Sequence, residues 1–430
     1  MEEGRISIRP SSGDGTRLVI RSRMVHQRPR MERTGSKRFA RLWWVFLFHG
    51  MAVGFWIPVL TNILNAEGYG AWVAVIFSIL PVCSLITPLL GGALADERIS
   101  SQRLYGWCSL IAGVVIAIAF AFLDHDLPPL WFVFGMVAYG LLSGPCWGLL
   151  ANIGLTSLKN PERQFPLVRI GATLGWVGAG FITSYALSAD SSPISGYAAG
   201  AAHVVAGVLG FFLPHTPPLG SGKSWRHALG LGGFVLFKNR DHAILFCITA
   251  LFSIPLTAFY MFSPELLKAL GSKAPTAAMT IAQVSEIAAM LVLGSMMLKY
   301  RLKTILLWGL GLSVVRYGLS GYAGFTGTIG WHVLGIALHG VCYTFYFITA
   351  QVYMNRRVDP QLRGQAQGLL SLMTSGIGPL VGALFCGWLK VVCVDANGNG
   401  WQNFWWILAG VIAVCWAAFA LLYRGKKVEE

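Results

Sequence analysis

The chain has 430 residues, 55% hydrophobic and 12% charged, with a formal net charge of +15. Repeated apolar runs of about twenty residues exclude a soluble globular domain and point to a polytopic helical membrane protein; a membrane barrel would read as short alternating segments instead. The basic excess sits mostly between the apolar runs, which argues against a nucleic-acid surface. The eight cysteines are scattered with no CxxC pair, so neither a disulfide framework nor a metal site is expected, and no cofactor is read.

Residues 1–41 carry 11 Lys and Arg among Ser, Gly and Pro and read as a basic, disordered cytoplasmic tail. Twelve spans follow, near 42–65, 71–95, 104–123, 129–156, 166–188, 196–214, 241–266, 276–299, 303–321, 329–354, 364–389 and 402–423. The expected architecture is all-α: an N-terminal six-helix half over 42–214, a cytoplasmic linker over 215–240, a C-terminal six-helix half over 241–423 and a cytoplasmic tail over 424–430. With the N-terminus inside, 28 of the 33 Lys and Arg fall on inside segments and only Lys268, Lys273 and Lys390 fall outside. That bias predicts both termini in the cytoplasm and a multi-pass protein of the cell inner membrane, with the bilayer as its solvent.

The halves repeat. Asn160-Pro161-Glu162-Arg163 opens the fifth span, and Asp359-Pro360-Gln361-Leu362-Arg363 opens the eleventh. Parallel six-span repeats suit a secondary transporter, with its substrate site near the midplane between them. After span two comes Gly92-Ala93-Leu94-Ala95-Asp96-Glu97-Arg98, with Arg103 beyond. This G-x-L-x-D-x-R element resembles the cytoplasmic loop motif of the major facilitator superfamily. The resemblance implies gating roles for Asp96, Arg98 and Arg103; an ordinary charged loop is the plainer alternative.

A few polar groups stand inside spans. Glu286 lies in the middle of the eighth, with Gln283 on the same face. A charged carboxylate at that depth costs roughly 2.5–3.5 kcal/mol, so it is expected to face a bundle interior or a wet cavity. Its readings are proton coupling or substrate binding, against a static structural pair for which Arg316 is a candidate partner. Arg169, Thr173 and Trp176 share a face of span five, where glycines allow close packing; a snorkelling interfacial arginine is the alternative for Arg169. Span ten offers His339, able to titrate near neutrality, and Tyr343, able to stack on a flat ligand. Span seven offers Thr257 and Tyr260 on one face. No paired carboxylates or nucleophile motif suggests an enzyme.

The chain resembles the bacterial nucleoside:proton symporter family of that superfamily. The resemblance rests on Phe165-Pro166-Leu167-Val168-Arg169 with Thr173; Leu213-Pro214-His215 and Leu236-Phe237-Lys238-Asn239; Ala282-Gln283-Val284-Ser285-Glu286; Val315-Arg316; and Arg363-Gly364-Gln365-Ala366-Gln367-Gly368. It implies proton-driven nucleoside import by alternating access, with a nucleoside and protons as the small-molecule partners of a monomer. The family's Arg and Thr in span five match Arg169 and Thr173, and its Gln and Glu in span eight match Gln283 and Glu286. Its aromatics match Trp176 and Tyr343. Departures stand opposite: Thr344 where the family carries an Asp tied to coupling, His339 for a Tyr, and Thr257 and Tyr260 for amides. Coupling through Glu286 with His339 is one expectation. Uncoupled facilitation, symport of another small polar solute such as a sugar, and a non-transporting sensor on the same fold are the others.

Overall fold

The computed structural model describes residues 28–97, 99–218, 231–359, 362–395 and 397–425, with side chains for all of these except 28–36, 88–97, 161–163, 231–232 and 364. Twelve apolar helices cross it. In chain order they are α1 (Lys37–Ala66), α2 (Gly70–Thr87), α3 (Ser101–Asp124), α4 (Pro129–Ser157), α5 (Gln164–Ala186), α6 (Ile194–Gly210), α7 (Arg240–Ala269), α8 (Pro275–Lys299), α9 (Leu302–Thr326), α10 (Ile329–Arg357), α11 (Gln365–Cys393) and α12 (Trp401–Leu422). Eleven are long and apolar enough to span a bilayer; α6, with 17 residues, is apolar but shorter. In hydrocarbon every backbone polar group must be satisfied within the segment, which is why the apolar runs take this one form.

The first helix begins earlier than the sequence suggests. Its backbone is helical from Arg28 to Trp56, so residues 28–41 of the expected disordered tail continue α1. Arg, Lys, Met and Glu are good helix formers. The rest of that tail, the centre of the linker and the last residues lie outside the described residues. Pro58 interrupts α1 before Leu60–Ala66, and Gly144-Pro145 bends α4. Three helices relax into π turns, at Ile182–Ala186 in α5, Thr344–Ile348 in α10 and Leu372–Ile377 in α11.

The packing repeats with an offset of six helices. α1 packs on α5 and α6, as α7 packs on α11 and α12; α3 packs on α4 and α6, as α9 packs on α10 and α12; α2 lies on α4, as α8 lies on α10. Between the two sets, α2 meets α11, α5 meets α8, and the end of α1 meets α7. The hydrogen bonds that cross between the sets, where both partners are described, lie at mid-depth or at one end of the bundle. Ser84 Oγ donates to the Ser375 carbonyl at 2.8 Å, and Asn62 Nδ2 to the Pro264 carbonyl at 3.4 Å. At the same end as Asn62, the Asp190 carboxylate accepts from the Thr276 amide at 2.9 Å and from its hydroxyl, so it caps the start of α8 from the opposite half. Ser184 completes this clasp, donating to Asp190 at 3.0 Å and accepting from the Ala277 amide at 3.0 Å. Lys268 Nζ donates to Ser191 Oγ at 2.8 Å alongside.

Candidate functional site

The α1–α5 crossing sets one wall. A Cβ added at Gly175 would lie 2.0 Å from the Leu47 carbonyl oxygen, and one at Gly50 would lie 2.1 Å from that of Ala172. The two backbones touch there, so only glycine fits. The crossing fixes α5 so that Arg169 stays exposed while Thr173 and Trp176 are half-buried. Arg169 makes no hydrogen bond or ion pair with any described residue, which leaves five N–H donors for a ligand or water.

The α8–α10 crossing sets the facing wall. A Cβ on Gly340 would lie 2.0 Å from the Glu286 amide nitrogen, and the Gly340 N–H donates to Ser285 Oγ at 3.1 Å. Glu286 therefore sits at the tightest point of this contact, with its half-buried carboxylate free of protein hydrogen bonds. Arg169 and Glu286 interact electrostatically, and Tyr343 lies in the field of both, yet the two charges form no direct ion pair. One turn before Glu286, Gln283 is buried with Oε1 lacking a partner. A cation from one half, a carboxylate and an unsatisfied amide from the other, and a phenol beside them form a polar gap that a small polar solute or water can bridge.

Aromatic rings close the gap. Trp176 and Tyr260 stand 6.2 Å apart across the halves. Tyr260 Oη meets His339 Nε2 at 3.4 Å, and His339 stacks between Phe259, at 4.2 Å, and Tyr343, at 6.0 Å. Arg316 is not the partner of Glu286. Its guanidinium lies 4.2 Å above the Phe259 ring and 4.6 Å from Tyr317, buried, with Nη2 unpartnered. α9 packs chiefly on α10 and α12, and cation–π contact with Phe259 of α7 takes the place of the expected pair. Thr257 spends its hydroxyl on the Ser253 carbonyl at 2.9 Å. Thr344 opens the π turn of α10 with its hydroxyl buried and unpartnered.

Beyond Tyr260 lies a cavity of about 330 Å³ between α1, α2, α4, α6, α7 and α11, within the range that holds small molecules. Thr257 and Tyr260 line it; Arg169, Thr173, Trp176, Gln283, Glu286, His339 and Tyr343 do not. Tyr260 is the shared wall.

Comparison with known proteins fixes the family. Residues 38–428 match the family described as Nucleoside H+ symporter. The chain belongs to that family. Over 409 residues it is 30% identical to YegT of Escherichia coli (strain K12), covering 91% of this chain and 95% of that one. It is 26% identical to the nucleoside permease NupG of the same strain over 396 residues, covering 87% and 93% of the two chains. A crystal structure of the nucleoside transporter NupG in a mutant form superposes with a TM-score of 0.81, covering 90% of this chain and 100% of that one at 24% identity. A second crystal structure, of the POT family transporter PepTSo, gives 0.71 at 13% identity, covering 90% and 98%, which speaks to fold alone. The family is one of transporters, so the chain is a multi-pass membrane transporter of the major facilitator superfamily fold and not an enzyme.

Of the expected gating residues, only Arg103 has a described side chain. Arg103 is an exposed side chain in the first turn of α3, whereas the Asp96 side chain and Arg98 lie outside the described residues. Two residues of the cavity wall, His49 and His203, drew no attention in the sequence. A single histidine in an apolar run has no spacing partner, and His203 meets Ser109, its hydroxyl partner, 94 residues away. The only local signal was the expense of burying an imidazole at all.

Proposed function

We propose that this family member imports nucleosides together with protons across the cell inner membrane by alternating access, as a monomer with both termini in the cytoplasm. The observation that carries the reading is the unbridged Arg169–Glu286 gap between α5 and α8, with Gln283 unsatisfied beside it. Ribose hydroxyls both donate and accept, and they fit a guanidinium, a carboxyl and an amide set apart. Thr173 adds a hydroxyl; Trp176, Tyr260 and Tyr343 add flat surfaces for the base, with Thr257 behind them. Glu286 couples the proton: protonated from outside it favours loading, and deprotonated inside it favours release. His339 is a second candidate for this role. Substrate and proton shift a two-state bundle through their different affinities for its two states.

The Lys and Arg bias supports the orientation. In that orientation the end held by Asp190, Asn62 and Lys268 faces outside, and the described conformation is closed outward. Asp96, Arg98 and Arg103 then serve the inner latch when the bundle turns over.

A second reading, uncoupled facilitation, is favoured by Thr344, a hydroxyl with no proton to exchange in this range. Labelled uridine and adenosine uptake into proteoliposomes, with and without an inward proton gradient, separates the two. Gradient-stimulated uptake that Glu286→Gln abolishes supports symport. Uptake indifferent to the gradient in the unmodified protein means a facilitator. If folded protein moves neither nucleoside, the substrate is another small polar solute, and if it binds one without flux, the protein is a sensor.

A further inference from the structure

The segment Leu231–Lys238, LGGFVLFK, is apolar except for its last residue. It ends the linker and lies across the starts of α7 and α11. Its inner face is pinned. A Cβ on Gly233 would lie 3.0 Å from the Gln365 carbonyl oxygen, the Phe237 ring packs on Phe246 of α7 at 5.3 Å, and Leu236 is buried. Its outer face carries Phe234, 49% exposed, and Val235, 45% exposed. Two large outward apolar side chains followed by a lysine suit the boundary between acyl chains and headgroups. We propose that the pocket beside this segment binds an anionic diacyl phospholipid, its phosphate held by Lys238 and Arg357 and its acyl chains lying along Phe234 and Val235.

The pocket holds about 490 Å³. Val235, Leu236 and Lys238 line it from this segment, and Arg357, Asp359 and Leu362 line it from the end of α10 and the connection to α11. Lys238 and Asp359 are exposed, and Arg357 is half-buried with its guanidinium 5.9 Å from the Tyr353 ring. Two cations against one carboxylate leave one excess positive charge, which the single negative charge of a phosphodiester matches. Arg240 and Arg356, both exposed and close by in the chain, add to the positive field. The Asp241 carboxylate accepts from the Arg424 and Gly425 amides at 3.0 and 2.9 Å. A soluble phosphate needs no apolar wall, whereas Val235, Leu236 and Leu362 suit a lipid. Basic pockets between helix ends on the cytoplasmic side are where anionic headgroups bind, and the Lys and Arg bias puts this end of the bundle inside. The binding depends neither on that orientation nor on the transported solute. A lipid seated there ties the linker to the α10–α11 connection.

The test uses the full chain purified in an uncharged detergent. Thermal unfolding is followed at rising concentrations of short-chain phosphatidylglycerol, short-chain phosphatidylcholine or glycerol phosphate. A ligand of the folded state raises Tm in a saturable way. Phosphatidylglycerol is expected to do so and the other two are not. In the double variant Lys238→Gln, Arg357→Gln the half-saturating concentration is expected to rise by about tenfold or more, because both phosphate contacts are lost. In Asp359→Asn it is expected to fall, because a repelling charge is removed. Lys299→Gln, at an exposed lysine that does not line the pocket, is expected to respond as the unmodified protein does. No rise in Tm for the unmodified protein, an equal response to phosphatidylcholine, or an unchanged half-saturation in the double variant overturns the proposal. An equal response to glycerol phosphate makes this a site for soluble phosphate and overturns the lipid assignment. If the double variant does not fold, an unchanged half-saturation in Asp359→Asn overturns it equally.

Discussion

Arg169 and Glu286 face each other from opposite halves without touching, and that gap is where single residues should matter most. Glu286→Gln keeps the shape and one acceptor but removes the exchangeable proton, so gradient-driven uptake is expected to fall to the level seen without a gradient. Equilibrium exchange, which needs no net proton movement, is expected to persist; measuring both in one preparation separates coupling from binding. Arg169→Lys is not a conservative change, because a point charge with three donors replaces a planar fork. About tenfold or more weaker uridine affinity is expected, read as a higher KM, with little change in Tm because Arg169 is exposed and bonds to nothing described. A matching fall in Tm would assign Arg169 to the scaffold instead.

At the scale of elements, the site depends on two helix crossings with glycine at the point of contact. Gly340→Val would drive a branched side chain into the Glu286 backbone, which has no freedom to retreat. Overpacking of this kind costs about 1–3 kcal/mol or more, so a clearly lowered Tm and lost uptake are expected. Gly294, lower on α8, has nothing within 4 Å of an added Cβ, and Gly294→Ala should leave both unchanged. Equal damage from the two substitutions would mean that α8 tolerates no side-chain change, and the crossing would lose its special role. The π turn at Thr344–Ile348 is a second element feature next to the site; such turns carry a wider backbone than an α-helix and often mark functional positions.

For the whole molecule, the Asp190 clasp ties the two halves at one end. Asp190→Ala removes both of its bonds to Thr276. Charge-assisted bonds of this sort contribute about 1.5–3 kcal/mol each, so the balance between the two bundle states is expected to move by about tenfold or more toward opening at that end. Spin labels on exposed Asp126 and Thr328, in loops at that same end of the two halves, should report a larger long-distance population in the variant. An unchanged distance distribution would place the closing force elsewhere, in the α2–α11 contact.

The number and length of the helices, the positive-inside bias and the polar residues within spans were all legible in the chain. Each follows from a local rule: a bilayer demands long apolar helices, and a polar group inside one stands out against its neighbours. Gln283 and Glu286 could be placed on one face of α8, and Arg169 on α5, from spacing alone. What met across the bundle was not legible. The sequence offered Arg316 as a partner for Glu286, and tertiary packing sent it to the Phe259 ring instead. The sequence passed over His49 and His203, and packing joined them to Tyr139, Ser109 and Tyr105 around a cavity. Helical periodicity says which residues share a face. It does not say how that helix is rotated against a neighbour a hundred residues away, because the rotation is set by where glycines such as Gly175 and Gly340 let two backbones meet. The chain by itself determined that this is a twelve-helix membrane transporter with a charged middle; only the tertiary structure decided which charges face each other and which rings and imidazoles surround them.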